Sequence, residues 1–307
     1  GKGIILVPPG GETMLVDAGY PTADDRDTNR IAAAAEALGI KQFDYIVATH
    51  YDADHAGNIP KMITRIPGNT FVDHGEIIPT ANERNRTGFY EPYVKAIAGK
   101  KRMIVKPGDV IPLKGVKVTV VTAGGNALDK PVSGVAARPN AFCRTAAVDK
   151  DVTDIYDNAG SVGLLYEFGK FRMLDLADLL QSIEYKAMCP TNTIGQVDLF
   201  MVSHHGFKIS NSPLLYQSLA PRVAIMNNSG RKGGEVETFD AIRTSPRLQD
   251  LWQMHESIKA KEKNVAEQFI ANPVSPCEAK LIKVSAQQDG AFTVTNTRNN
   301  FSKTYKP

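Results

Sequence analysis

Short apolar runs closed by turn residues set the rhythm of the first third of the chain. Ile4-Ile-Leu-Val7 and Thr13-Met-Leu-Val16 flank Pro8-Pro-Gly-Gly11, which predicts a hairpin. Residues 27–38 read as a helix, with Asp27 or Thr28 as its N-cap, strong formers at Ala32 to Ala35, and Gly39 as its stop. Tyr45-Ile-Val-Ala48 is continuously apolar, the pattern of a strand buried on both faces, and it should end near Thr49. Ile59, Met62, Ile63 and Ile66 then recur at helical spacing and are core residues, closed by Pro67-Gly68. Phe71-Val-Asp73-His74-Gly75 predicts a further strand end.

The pattern beyond is less regular. Residues 76–101 are polar and aromatic, with Phe89, Tyr90 and Tyr93 set among Arg84, Arg86 and Lys95. They suit a loop lying over a site that meets an anionic or aromatic substrate, or equally a surface helix pair. Residues 106–122 read as two strands with turns at Pro107-Gly108-Asp109 and Lys114-Gly115. Residues 123–160 lack periodicity and form a long loop, expected to cover one side of the site. A hairpin around Gly169-Lys170 delivers Asp175 and Asp178, and the buried run 197–202 ends in His204-His205-Gly206. Val223 to Met226 predicts another strand, followed by the glycine-rich loop 227–234 with Arg231 and Lys232, suited to an anionic group or to plain flexibility. Residues 248–269 read as mainly helical, and Lys280–Val284 pairs with Ala291–Thr295 across Asp289-Gly290. The class is α/β. We expect a single domain over 1–307, with 231–307 as a C-terminal extension packed on it.

Composition changes this picture little. A chain of 307 residues can bury one large core. Its formal charge of +3 does not by itself indicate nucleic acid, and no apolar run approaches the ~20 residues needed to span a bilayer. The chain begins at Gly1, which leaves upstream targeting open. Cys143, Cys189 and Cys277 are too few for a disulfide framework; they read as buried or free thiols, with one pair open to an oxidising compartment.

The chemistry concentrates just past the buried strand. His50, Asp52, Asp54 and His55 fall within six positions at the carboxyl end of a strand, where α/β sheets place their sites. Two imidazoles and two carboxylates suit a borderline divalent ion such as zinc, and are enough to serve two ions. The competing explanation is a helix N-terminus capped by Asp52 or Asp54. His74 would reach the same rim, although a solvated loop histidine accounts for it more simply.

Thr49-His-Tyr-Asp-Ala-Asp-His-Ala-Gly57 resembles the H-x-H-x-D-H signature of the metallo-β-lactamase superfamily, with Asp at the second histidine. Val16-Asp17-Ala-Gly19, Leu174-Asp175-Leu-Ala-Asp178 and Val202-Ser-His204-His205-Gly206 resemble its later landmarks, in order. With Ser210, Ser212 and Pro213, the last is most similar to the hydrolase domain of bacterial DNA-uptake competence channels and related secreted hydrolases. The resemblance runs from about residue 4 to 228. It implies a four-layer αββα sandwich, Asp17 supporting the ligand loop from behind, and Asp178 bridging two ions, with Asp175 in the strand behind it. His205 is then the metal ligand and His204 the group touching substrate, or the reverse; adjacent side chains on extended backbone point apart, so one histidine is expected to bind metal.

Two departures bear on the metal. Asp52 replaces a histidine, and Asn158 and Ser161 occupy the region of the usual third one. The first site becomes His50, Asp52 and Asp178, and the second Asp54, His55, Asp178 and a late histidine. More oxygen admits manganese, iron or magnesium beside zinc. The resemblance implies hydrolysis by a metal-activated water, with Asp54 steering its proton and His204 stabilising the oxyanion or the leaving group. A phosphoric ester or diester leads, because of the His-His-Gly form and of Arg84, Arg86, Arg231 and Lys232. Alternatives are a lactone, carboxylic ester or β-lactam, and an inactive metal-binding module. An extracytoplasmic location follows by resemblance alone.

Overall fold

The amino-terminal hairpin forms as the turn residues dictate: β1 (Ile4–Leu6) pairs antiparallel with β2 (Met14–Val16). From there the sheet turns parallel, through β3 (Phe43–Val47), β4 (Gly68–Asp73) and β5 (Lys101–Ile104), in the order β1-β2-β3-β4-β5. Parallel neighbours need crossovers. These are α1 (Arg26–Ala37), α2 (Ile59–Arg65), and a helical stretch of α3 (Glu83–Asn85), a π turn (Arg86–Tyr90) and α4 (Glu91–Ala96). The computed structural model describes residues 1–149, 152–273 and 277–307. Positions 150 and 151 of the expected long loop, and 274–276 of the C-terminal extension, lie outside the described residues.

By their contacts the residues fall into two units, 1–126 with 153–163, and 127–152 with 164–307. In the first, Leu15, Ile46 and Phe71 of the sheet pack with Ala32 and Ala35 of α1, Ile59 and Met62 of α2, and Tyr90 and Tyr93. Truncating a buried aromatic of this kind costs about 3–5 kcal/mol. Two expectations are corrected here. The cap of α1 is Asp25, in left-handed conformation, whereas Asp27 and Thr28 lie buried in the first turn. Asp27 is occupied instead, accepting from the Tyr20 N–H at 2.8 Å and from Arg26 Nε at 2.7 Å.

The second concerns residues 76–101: of the loop and the surface helix pair open to them, they take the helical form, but as a crossover with Tyr90 and Tyr93 buried. Tyr93 is buried and donates to Asp73 at 2.8 Å, while Arg102 binds the same carboxylate through two nitrogens. Burial pushes the Tyr90 hydroxyl up to about 12. These aromatics are core, and Arg84 and Lys95 stay exposed. The pair β6 (Val110–Ile111) and β7 (Lys117–Ala123) turns at Lys114-Gly115 as expected. A two-residue strand β8 (Asn126–Ala127) follows. The stretch 123–160 is not wholly irregular, since it carries 3-10 turns at Ala141–Arg144 and Asn158–Gly160.

The predicted hairpin forms next, between β9 (Gly163–Phe168) and β10 (Phe171–Asp175). The sheet continues parallel through β11 (Leu199–Val202), β12 (Val223–Met226), β13 (Asp250–His255) and β14 (Ile270–Asn272). Helices α5 (Gln181–Met188), α6 (Pro213–Leu219) and α7 (Val236–Ile242) follow β10, β11 and β12 in turn. The helix expected over 248–269 is absent: its first part is β13, its remainder two 3-10 turns, Lys261–Lys263 and Glu267–Phe269. Pairing on both edges and full burial of Trp252 and Gln253 make this part a strand, against the helical propensity of the lysines and glutamates that follow it. The C-terminal hairpin, β15 (Ile282–Ala286) with β16 (Phe292–Asn296), gains a third strand, β17 (Ser302–Tyr305). Cys143 and Cys189 are disulfide-bonded to each other. No helix among the described residues is long and apolar enough to cross a membrane.

Candidate functional site

In the first unit β2, β3 and β4 end side by side, and their carboxyl ends deliver Asp17, Thr49 and His74 to one rim. Asp17 is fully buried and adopts a positive φ of 58°. Its Oδ1 accepts the Thr49 N–H at 2.9 Å, and its Oδ2 accepts the Thr49 hydroxyl at 2.8 Å. That same Oδ2 lies 2.8 Å from His55 Nδ1. A carboxylate can only accept here, so Nδ1 carries the proton and Nε2 keeps its lone pair. Asp17 thus holds the loop of residues 49–55 from behind.

The four clustered residues form two imidazole–carboxylate pairs. His50 Nε2 lies 3.9 Å from Asp52 Oδ2, and His55 Nε2 lies 3.9 Å from Asp54 Oδ2. The two rings stand 4.1 Å apart, centroid to centroid. One cation with ligand bonds of about 2 Å spans such a nitrogen–oxygen separation, so the donors fit a divalent ion. The loop does run into a helix, but the cap residue of α2 is Asn58, which makes no side-chain cap, so neither aspartate is spent on capping.

Residues of no evident motif hold this loop. Asp157 accepts the Tyr51 N–H at 2.8 Å, the Ile78 N–H at 3.0 Å and His74 Nε2 at 2.8 Å. His74 is therefore buried and paired, not a solvated loop residue. A Cβ at position 160 would stand 2.9 Å from the His74 ring, which fixes Gly160 as glycine. Asn85, buried in the helical crossover, donates its side-chain amide to Asp52 Oδ1. Asn158 and Ser161 are both buried, with Asn158 turning its amide to Asp154 at 3.3 Å.

The second unit builds its part from backbone strain. Asp175, at the end of β10, accepts the Ala177 N–H at 3.0 Å, and Ala177 has a φ of 51°, so the chain turns sharply before Asp178. His204 and His205 are both left-handed, with φ of 49° and 53°. The expectation of opposed side chains on extended backbone fails for this reason: the two Nε2 atoms lie 3.6 Å and 3.4 Å from the same Asp178 Oδ2. His205 Nδ1 donates to the Asn227 carbonyl at 2.8 Å, again leaving Nε2 as the lone-pair nitrogen. His204 Nδ1 lies 3.1 Å from the buried Ser210 hydroxyl.

The glycine-rich loop 227–234 serves this arrangement. A Cβ at Gly233 would stand 1.9 Å from the His205 carbonyl, and Gly234 donates its N–H to that carbonyl at 2.9 Å. Beneath it, Asn211 binds both the N–H and the C=O of Ser203 and the C=O of Phe207. Glu184, fully buried, accepts the Asn211 and Ser212 N–H groups at 2.7 and 2.9 Å. Desolvation pushes its carboxyl up to about 7.

Residues 4–128, fewer than half of the 307, match the family model described as the metallo-beta-lactamase superfamily. No curated protein matches the chain. Among solved structures, a variant of the β-hydroxylase CmlA, a diiron enzyme of Streptomyces venezuelae, aligns over 83% of this chain and 53% of its own, at 13% identity and a TM-score of 0.51. A Cronobacter sakazakii metallo-β-lactamase with a HARLDQ motif covers 57% of each chain at 15% identity and a TM-score of 0.36. Zinc-bound PqqB from Methylobacterium extorquens covers 65% of this chain and 58% of its own at 15% identity and a TM-score of 0.39. The chain spans little more than half the length of these relatives. At such identities the likeness concerns the fold alone, a mixed α/β fold as expected from the sequence, and the CmlA alignment carries it. The family likeness is therefore that of residues 4–128, and the likeness of the longer alignment is one of fold.

Proposed function

We propose that this chain is a metal-dependent hydrolase of phosphoric esters, with His50, Asp52, Asp54, His55, Asp178 and His205 as its metal ligands. One observation carries the metal reading. His55 and His205 each commit Nδ1 to a fixed acceptor and turn Nε2 towards a carboxylate, as ligands do when a cation is to lie between. One or two divalent ions suit the set, zinc foremost, with manganese, iron and magnesium admitted by its oxygen content. When bound, such an ion supplies a water activated near neutral pH and a Lewis acid for the bond to be cleaved.

The protein's own part is placement. Asp17 and Asn227 keep the two ligand imidazoles in one tautomer. Asp54 is the group that takes up a proton, and His204 touches substrate, its ring braced edge-on against Phe207 at 5.0 Å between centroids. The resemblance to DNA-uptake hydrolases, and Arg231 and Lys232 in the loop that meets the His205 carbonyl, support a phosphoric ester over a lactone, carboxylic ester or β-lactam. The Cys143–Cys189 bond supports an extracytoplasmic home, because disulfides persist in oxidising compartments.

The test is elemental analysis of protein purified without added metal, paired with hydrolysis of bis-p-nitrophenyl phosphate and a simple lactone before and after chelation. Bound metal, and phosphodiester cleavage lost both to chelation and in Asp178→Ala, is the expected result. Metal near zero, or turnover indifferent to chelation, overturns it; lactone cleavage alone overturns the choice of substrate.

A further inference from the structure

We infer that Asn85 is a positioning residue for the first metal site, acting through Asp52. The inference rests on the metal-dependent reading above and adds a residue that no ligand motif contains. Where the family signature carries a histidine, this chain carries an aspartate. The exchange has a geometric cost. An imidazole offers one nitrogen in a fixed direction, whereas a carboxylate offers two oxygens and rotates about its terminal bond.

Asn85 removes that ambiguity. Its Nδ2 donates to Asp52 Oδ1, and Oδ2 is the oxygen left 3.9 Å from His50 Nε2. Asn85 is suited to hold it because it is itself held. It is 3% exposed, and its backbone N–H is capped by Asn82 Oδ1 at 2.9 Å. Asn82 in turn donates its side-chain amide to the Ile155 carbonyl at 2.7 Å. The crossover helix is thus pinned where it meets the ligand loop. An amide is also the right chemistry: it donates without adding charge, so the carboxylate keeps the full negative charge that attracts a cation. A buried lysine would neutralise Asp52, and an aspartate would repel it.

The test uses the full chain and reads metal affinity by competition with a chromophoric chelator, with Mn2+ and Zn2+ as separate probes and circular dichroism as a check on folding. Asn85→Ala is expected to weaken the weaker class of site by ~10–100-fold, as loss of a ligand's hydrogen-bond partner does, and to leave the stronger class unchanged. Asn85→Asp keeps the size, removes the donor, and is expected to give at least the same loss, which keeps the test open if the alanine variant does not fold. In an Asp52→Ala background, Asn85→Ala should have no further effect on affinity. Wild-type protein that binds no metal overturns the hydrolase reading and this inference together. Wild-type protein that binds metal, with Asn85→Asp unchanged in affinity, overturns the inference alone. So does a loss of equal size in the Asp52→Ala background, because Asn85 would then act by another route.

Discussion

The two histidine pairs are oriented by different means. His50 and His55 follow a parallel strand, and His55 is fixed by a buried side-chain carboxylate, Asp17. His204 and His205 sit on left-handed backbone, and His205 is fixed by main-chain atoms: the Asn227 carbonyl against its ring, and Gly233 and Gly234 against its own carbonyl. The first arrangement depends on charge, the second on shape. Charge tolerates small displacements and fails when a single group is neutralised. Shape is indifferent to charge and fails when a methyl group is added.

The largest expected effect tests shape. Gly233→Ala puts a Cβ into the His205 carbonyl at a φ of +72°, and should cost about 3 kcal/mol from overpacking and strain combined, seen as a lower Tm in thermal unfolding. The corresponding break in charge is Asp17→Asn, which keeps size but weakens the anchor on His55. It should lower metal affinity by ~10–100-fold in chelator competition while shifting Tm less than Gly233→Ala does. If the two variants lose metal affinity and stability in the same proportion, the contrast between the pairs is void.

Glu184 sharpens the comparison through pH, because it supports the shape-dependent loop with an ionisable group. Its folded pKa, about 7, lies above the ordinary carboxylate value of 4.5. The folded state therefore holds the proton more tightly, so stability contributed by the protonated form is present below pH 4.5 and is lost as pH rises through about 7. The full span is on the order of 3 kcal/mol. Wild-type Tm should fall between pH 5 and 8, and Glu184→Gln should flatten that slope whatever its own Tm. The smallest effect is expected from Asp157→Asn: a loss of about 1–2 kcal/mol on unfolding in denaturant, since its single amide oxygen can serve the Tyr51 N–H, held by Oδ2, or the Ile78 N–H, held by Oδ1, and the other loses its acceptor.

How much of this was legible follows from what periodicity can encode. The parallel core strands read directly from runs such as Tyr45 to Ala48, and the ligand loop from the density of donors that ends one of them. Strand β13 was hidden, because Trp252 and its neighbours run straight into a lysine- and glutamate-bearing segment, 256–267, and pairing on both edges makes it a strand. Tyr90 and Tyr93 looked like rim aromatics because a polar segment surrounds them, yet they face the core. Left-handed backbone at His204 and His205 leaves no trace in a hydrophobic pattern. Asn85, Asp157 and Glu184 are single polar residues recruited by tertiary folding. A buried polar side chain needs a partner, but the sequence does not say which side chains are buried.

The return of residues 153–163 to the first unit bears on the order in which the chain is made. The four clustered donors leave the ribosome well before the carboxylate that holds the Tyr51 N–H among them, which lies 106 residues further on. During synthesis the ligand loop has its anchor at Asp17 long before its clamp at Asp157. A nascent or truncated chain ending near residue 128, the limit of the family match, carries every donor of the first unit and lacks the group that closes the loop around them.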